Sequence, residues 1–318
     1  MSELAGRRVV VTGGAGFLGS HVVDRLRAGG AEAVVPRSAS FDLRDAAACA
    51  RLMAEARPSW VIHCAVDGGG IGYMRAHPAE VIRNNALMNT NVLHAAWAAG
   101  VDCFVGVSSV CAYPRTAPIP MREADLFSGY PEPSNAAYGL TKRMLMEQGR
   151  AYHDQHGFNA VFPMPTNLYG PRDDFEPARS HVVPALMRKC LEAADRGDDH
   201  IVAWGTGRAT RELLYVEDCA DAILAMARRW SSPEPVNIGN GREVPVRELV
   251  ETVAAVCGFR GEIRWDTSKP DGQPRKCLDV SRAREGFGWT AQVGLAEGLR
   301  RTLDWYRAHR DGAHGCAG

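Results

Sequence analysis

The chain has 318 residues, with 37 basic and 37 acidic side chains and no net charge, which argues against the positive surface that a nucleic-acid or anionic-membrane partner needs. Its apolar runs fall far short of the ~20 residues that span a bilayer. Nine cysteines, spread from Cys49 to Cys316 without a CxxC pair or finger spacing, point to a reduced, cytoplasmic protein without a metal site.

In chain order, apolar runs at Arg8–Thr12, Ala33–Val35, Trp60–His63, Cys103–Val107 and Ala160–Phe162 read as strands. A strand pattern this early argues against a secretory leader. Helical patterns lie between them, near Phe17–Ala28, Asp45–Ala56, Pro78–Ala99 and Asn135–His156. Repeated βα units predict a parallel sheet with helices on both faces, a doubly wound α/β fold of Rossmann type. After Gly170-Pro171 the pattern loosens. Helices are expected near Val182–Ala194, Val216–Arg229, Val246–Val256 and Leu295–Arg307, with a strand at Val236–Ile238. Residues 1–170 read as a dinucleotide-binding domain, with segments about 209–238 returning to it. Residues 171–318 read mainly as a smaller α/β lobe for substrate, and the tail from His309 to Gly318 is expected to fray.

The first strand runs into Gly13-Gly14-Ala15-Gly16-Phe17-Leu18-Gly19 and then a helix. Gly13 permits the tight turn, Gly16 lets backbone approach a pyrophosphate, and Gly19 allows close helix–strand packing. The backbone at Phe17 and Leu18 forms the helix N-terminus, where free N–H groups and the dipole favour phosphate. The second strand ends Val35-Pro36-Arg37-Ser38, with no acid before Asp42. An acid there would bind ribose hydroxyls and repel a 2′-phosphate, whereas Arg37 could clamp one. This favours NADP(H) over NAD(H). Asp42-Leu43 could flank the adenine, and Asp45 reads as a helix N-cap.

Tyr138 and Lys142 stand four apart, on one helix face. A neighbouring ammonium favours phenolate, so the pair is expected to have a lowered Tyr pKa and to donate and accept protons. With 8 Tyr and four Lys in the chain, chance supplies roughly 0.1 such pairs. Ser109 follows the fourth strand, at the carboxyl-end crevice, and could hold a substrate carbonyl oxygen beside Tyr138.

These residues resemble the extended short-chain dehydrogenases/reductases. More selective segments resemble the GDP-L-fucose synthase family within them: Met164-Pro165-Thr166-Asn167-Leu168-Tyr169-Gly170-Pro171, Ser180-His181-Val182-Val183-Pro184-Ala185-Leu186, Trp204-Gly205-Thr206-Gly207, Ser268-Lys269-Pro270-Asp271-Gly272 and Pro274-Arg275-Lys276. The resemblance covers nearly the whole chain. It implies NADPH-dependent 3,5-epimerisation and 4-keto reduction of a GDP-4-keto-6-deoxyhexose by a homodimer. It places Cys111, in Ser109-Val110-Cys111-Ala112-Tyr113-Pro114, and His181 on the family's epimerising Cys and His. It also implies cofactor contacts at Pro165, Asn167, Leu168 and His181. Substrate contacts are implied at Asn167, Lys189, Trp204, Arg211 and Lys276.

Three positions depart from the family pattern. Asp67 stands where the family has Lys, Val110 replaces the second Ser of Ser-Ser-Cys, and Lys189 replaces Arg. The last runs against the chain's own bias of 33 Arg to four Lys. A related nucleotide-sugar 4-reductase or epimerase of a deoxysugar or heptose pathway is the alternative within the enzymes. A silent dinucleotide-binding scaffold predicts loss of Ser109, Tyr138 or Lys142, and all three are present.

Overall fold

The structure is a computed structural model that describes residues 4–177, 179–269 and 271–309. All of the tail after His309, and Pro270 of the Ser268–Gly272 motif, lie outside the described residues. In the first half, β1 (Arg8–Thr12), α1 (Phe17–Ala28), β2 (Glu32–Val34), α2 (Ala46–Ala56), β3 (Trp60–His63), α3 (Ile71–Ala76), α4 (Pro78–Ala98), β4 (Cys103–Gly106), α5 (Ala136–His156) and β5 (Ala160–Val161) alternate. Then come β6 (Pro163–Pro165), β7 (Asn167–Tyr169), α6 (Val182–Arg196), β8 (His200–Trp204), β9 (Thr210–Arg211), β10 (Leu213–Tyr215) and α7 (Val216–Arg229). The chain closes with β11 (Val236–Ile238), β12 (Val244–Pro245), α8 (Val246–Cys257), β13 (Glu262–Asp266), α9 (Ser281–Phe287) and α10 (Leu295–His309).

The main sheet has the order β2-β1-β3-β4-β5, and every pair in it is parallel. The chain leaves β1 to one side for β2 and returns to the other for β3, so a crevice opens at the carboxyl ends of β1 and β3. Strands β1, β3 and β4 are apolar on both faces because helices cover both: Val9, Val10, Val11, Val61, Ile62, Phe104 and Val105 are all fully buried. Each such side chain contributes ~1.5–3 kcal/mol of burial. On one face α1 and α7 pack together over Val9, Val11, Ile62 and Val105. On the other, α2, α4 and α5 enclose Val10, Val61 and Phe104. Asp45 caps α2 by accepting the Ala47 N–H at 2.9 Å.

Parallel pairings β6 with β11 and β7 with β10 bring residues 213–238 back against this sheet, and α9 packs there as well. The second lobe has its own core, where α6, α8 and α10 bury Leu186, Met187, Leu249, Val253, Leu299 and Leu303. Its parallel pair β8–β13 carried no clear signal in the sequence. On β8 the alternation shows only in burial: Ile201 and Ala203 are buried, Val202 and Trp204 exposed.

Candidate active site

Gly13 turns the chain at φ +67°, and a Cβ there would lie 2.7 Å from Ala65 N at the end of β3. A Cβ on Gly19 would collide with the Gly13 carbonyl. Gly16 is the N-cap of α1 and offers no side-chain acceptor to the first turn. The glycines thus make a tight cradle that opens at a helix N-terminus, and a dinucleotide pyrophosphate fits it. Phe17 and Leu18 begin that helix and are partly buried. Arg37 and Ser38, which follow β2, are exposed. The Asp42 carboxylate is bound by Arg44 at 2.8–3.2 Å, which holds it below the usual range. The Leu43 side chain sits in the core, so it is the backbone of Leu43 that remains to meet an adenine, while the Asp42 side chain stays half-exposed. Pro165 is buried at the end of β6, Leu168 packs against the core, and the Asn167 amide donates to the Glu212 carbonyl at 3.1 Å.

Ser109 caps a short 3-10 turn, Val110–Ala112, by accepting the Cys111 N–H at 3.2 Å. That turn packs on α5, where a Cβ on Gly139 would strike the Cys111 carbonyl. The Ser109 hydroxyl thereby stands close enough to the Tyr138 oxygen to favour its phenolate. The expected lowering of the Tyr138 pKa by Lys142 is not what the structure shows. The Lys142 ammonium donates to the Val107 carbonyl at 2.7 Å and stands 5.5 Å from the Tyr138 ring centroid. Burial, with Cys111 beside it, pushes the phenol above its ordinary value despite Ser109. Burial also brings the Lys142 ammonium down to about 8. The phenol is thus held protonated, ready to donate. Asn135, in the turn before α5, donates to Cys111 Sγ at 3.2 Å, and its Oδ1 is buried without a partner among the described residues.

His181 is the N-cap residue of α6, makes no side-chain cap bond, and has a side chain 53% exposed. The segment after β3 connects this histidine to the cysteine side. Gly70 N–H donates to the Arg179 carbonyl at 2.9 Å, and a Cβ on Gly70 would lie 2.8 Å from the Ser180 carbonyl. From there α3 packs against the 3-10 turn Pro133–Asn135. Asp67 anchors the segment: its carboxylate accepts from the Tyr73 hydroxyl and the Asn84 amide, each at 2.7 Å. Its backbone exchanges hydrogen bonds with the Asn85 side chain.

In the second lobe, Trp204 is 66% exposed, an indole open to a ligand rather than a core residue, with Lys269 Nζ 5.7 Å from its ring centroid. Lys189 donates to the Val202 carbonyl, and burial lowers its pKa. Arg211 donates to the carbonyls of Thr210, Gln273 and Asp271 at 2.7–3.0 Å, so it shapes the loop leading to Lys276. Lys276 is half-buried on that loop. Glu212, which the motifs did not single out, is fully buried and accepts the N–H groups of Gly241 and Leu278 at 2.7 and 2.8 Å. Asp173 was also missed, although it lies two residues past the Gly170-Pro171 motif and faces His181. Among the described residues no His, Cys, Asp and Glu cluster could hold a metal, all eight cysteines are free, and no helix is long and apolar enough to cross a membrane.

Residues 9–239 match the model of the NAD dependent epimerase/dehydratase family. GDP-L-fucose synthase 1 of Arabidopsis thaliana is 42% identical over 94% of this chain and 93% of its own length. A GDP-L-fucose synthetase from Naegleria fowleri, solved with NADP bound, superposes with a TM-score of 0.87 at 28% identity, over 99% of this chain and 98% of that one. A GDP-6-OMe-4-keto-L-xylo-heptose reductase from C. jejuni superposes with a TM-score of 0.89 at 25% identity, over 96% and 99% of the two chains.

Proposed function

The chain belongs to the NAD dependent epimerase/dehydratase family and, within it, to the GDP-L-fucose synthases, and from that premise we propose that it is an NADP(H)-dependent 3,5-epimerase/4-reductase of a GDP-4-keto-6-deoxyhexose. The observation that carries the reading is the turn holding both Ser109 and Cys111 against Tyr138, because it puts a carbonyl-binding hydroxyl and a proton-exchanging thiol at one place.

A 4-keto group acidifies the protons at C3 and C5. Ser109 and Tyr138 hold the carbonyl oxygen and stabilise the enolate. Inversion needs one group to take a proton from one ring face and another to return one to the opposite face. Cys111 and His181 are the pair for this work. When bound, NADPH supplies hydride to C4. The protonated Tyr138 then donates to the oxygen, and the buried Lys142 favours the phenolate left behind. The glycine cradle and the Phe17–Leu18 N-terminus would hold the pyrophosphate, Arg37 and Ser38 the 2′-phosphate, and Leu43, Pro165, Asn167 and Leu168 the remaining cofactor surface. Trp204, Lys189, Asn167 and Lys276 would receive the nucleotide sugar, with Arg211 fixing the loop. The eight described cysteines, all unpaired, support a reducing compartment such as the cytoplasm.

The test offers GDP-4-keto-6-deoxymannose in heavy water. Deuterium should enter C3 and C5 without NADPH, and NADPH should then be oxidised as a fucose product forms. Tyr138→Phe should stop reduction and Cys111→Ser should stop exchange while sparing binding. Wild-type exchange rates in Cys111→Ser would remove the epimerase assignment. Asp67, an acid where the resemblance has Lys, favours a second reading, a GDP-sugar 4-reductase with a different sugar. No turnover of the deoxymannose substrate, with turnover of a GDP-4-keto-heptose, would select it.

A further inference from the structure

Asp173 follows the Gly170 turn after β7 and is 5% exposed. Its Oδ1 accepts the Asp174 N–H at 2.8 Å and faces His181 Nδ1 at 3.5 Å. Its Oδ2 is buried with no partner among the described residues. A buried carboxylate oxygen without a donor is costly, and such groups persist where a function needs them. The only described side chain that Asp173 faces at this range with a free donor position is His181, and 3.5 Å is slack for a hydrogen bond, as catalytic contacts often are before substrate binds.

His181 stands at the N-terminus of α6, whose positive dipole end disfavours an imidazolium. Asp173 opposes that field: its hydrogen bond raises the imidazole above the ordinary histidine value, against desolvation. Asp174 acts in the same sense and is itself paired with Arg179 at 3.1 Å. Across the Gly70 contact, the ionisable groups on and before α3 are Asp67, which accepts from the neutral Tyr73 hydroxyl, and Arg75 in the last turn of the helix. Burial raises the Asp173 carboxyl above its ordinary value while the His181 contact pulls it down, so the two groups titrate as a coupled pair.

We propose that Asp173 is the positioning residue of His181, binding Nδ1–H and so aiming Nε2 at the sugar ring. This rests on the reading of His181 as a proton-exchanging group. In the delivering direction the imidazolium gives its Nε2 proton to the ring carbon, whose enolate electron pair becomes the new C–H bond as the C4 carbonyl re-forms. The imidazole is left neutral, with Nδ1–H still on Asp173, and regains the proton from water or, in the reverse direction, from the ring carbon.

The test begins with an NMR titration of the His181 imidazole in the whole protein, assigned with His181→Asn. Wild type should titrate above the ordinary value of about 6.5, and Asp173→Asn should titrate lower by about one pH unit. The asparagine keeps an Oδ1 acceptor for the Asp174 N–H, so the turn is preserved. Should that variant fail to fold, the wild-type titration decides: a value at or below about 6.5 overturns the proposal. In heavy water, Asp173→Asn should exchange ~10–100-fold more slowly at one ring carbon, with its pH limb displaced, and Asp173→Glu should restore part of the rate. An unchanged exchange rate and pH profile in Asp173→Asn overturns the assignment. If wild type exchanges no deuterium at all, the functional reading fails, while the titration still decides the Asp173–His181 coupling.

Discussion

Arg37 leaves β2 with its side chain in solvent and no carboxylate paired with it among the described residues, whereas Asp42 is already bound by Arg44. A 2′-phosphate would find a free guanidinium at the strand end, and a bare ribose would find no free acid there. A charge-assisted hydrogen bond contributes ~1.5–3 kcal/mol, or roughly 10–100-fold in affinity. Arg37→Ala should therefore raise the KM for NADPH by at least about tenfold and leave that for NADH nearly unchanged; steady-state rates with both cofactors measure this. An unaltered NADPH-to-NADH preference would remove Arg37 from the site. Arg37 was legible from its place after β2 and the absence of an acid there, and the Tyr138–Lys142 pair because its spacing puts both residues on one face of α5. Asp173 was not, since nothing in Asp173-Asp174-Phe175-Glu176 says which acid the fold will bury. The direction of the Tyr138 shift was equally hidden. Sequence spacing shows that an ammonium is near, but only the packed structure shows that burial outweighs it.

A polar relay ties α5 to β1. Thr12 Oγ1 at the end of β1 lies 2.7 Å from His63 Nδ1, His63 Nε2 lies 3.0 Å from Asn89 Oδ1 on α4, and Asn89 Nδ2 donates to the Thr141 carbonyl on α5 at 3.2 Å. The three side chains are fully buried, so the relay fixes α5, with Tyr138 and Lys142, against the β1 turn. Burial, with Lys142 nearby, lowers the His63 pKa to about 3. The unfolded chain binds this proton below about 6.5, while the folded chain refuses it until about 3. Stability from this group is therefore complete above the unfolded value and is lost as pH falls towards the folded one. Wild type should lose up to ~1.4 kcal/mol per pH unit from His63 below pH ~6. Urea unfolding at pH 7.5 and pH 5 should show a shallower loss in His63→Gln; equal losses in both proteins would show that His63 is protonated in the folded state. This relay was unreadable in sequence, because Thr12, His63, Asn89 and Thr141 share no motif. The long helices and β1, β3 and β4 were readable from their periodicity. The short β6, β7 and β10 were not, since each draws its definition from its parallel partner.

At the scale of the molecule, α4 and α5 pack side by side with opposite duties on their two faces. Inward, Val81, Asn85, Asn89, Val92 and Leu93 of α4 and Gly139, Lys142, Leu145 and Met146 of α5 are buried. Outward, Leu87, Leu140 and Met144 remain partly exposed around the Thr90–Gln148 hydrogen bond that joins the helices. An apolar seam along two long helices suits a second copy related by a two-fold axis, which would bury the same patch twice and form a four-helix bundle. The balanced charge of 37 basic and 37 acidic groups sets no long-range repulsion between two copies. We therefore expect a dimer sedimenting at about twice the 34.5 kDa chain. A carboxylate at Leu87 and another at Met144 would be buried unpaired, at several kcal/mol each, only if this face is the interface. On the free chain both would stay hydrated. Leu87→Glu/Met144→Glu should thus sediment as the single chain with its far-ultraviolet circular dichroism unchanged. A double variant that still sediments as a dimer would place the interface elsewhere. The same helix α5 carries Tyr138 and Lys142, so dissociation would leave the helix of the proposed proton-transfer pair supported from the sheet side alone.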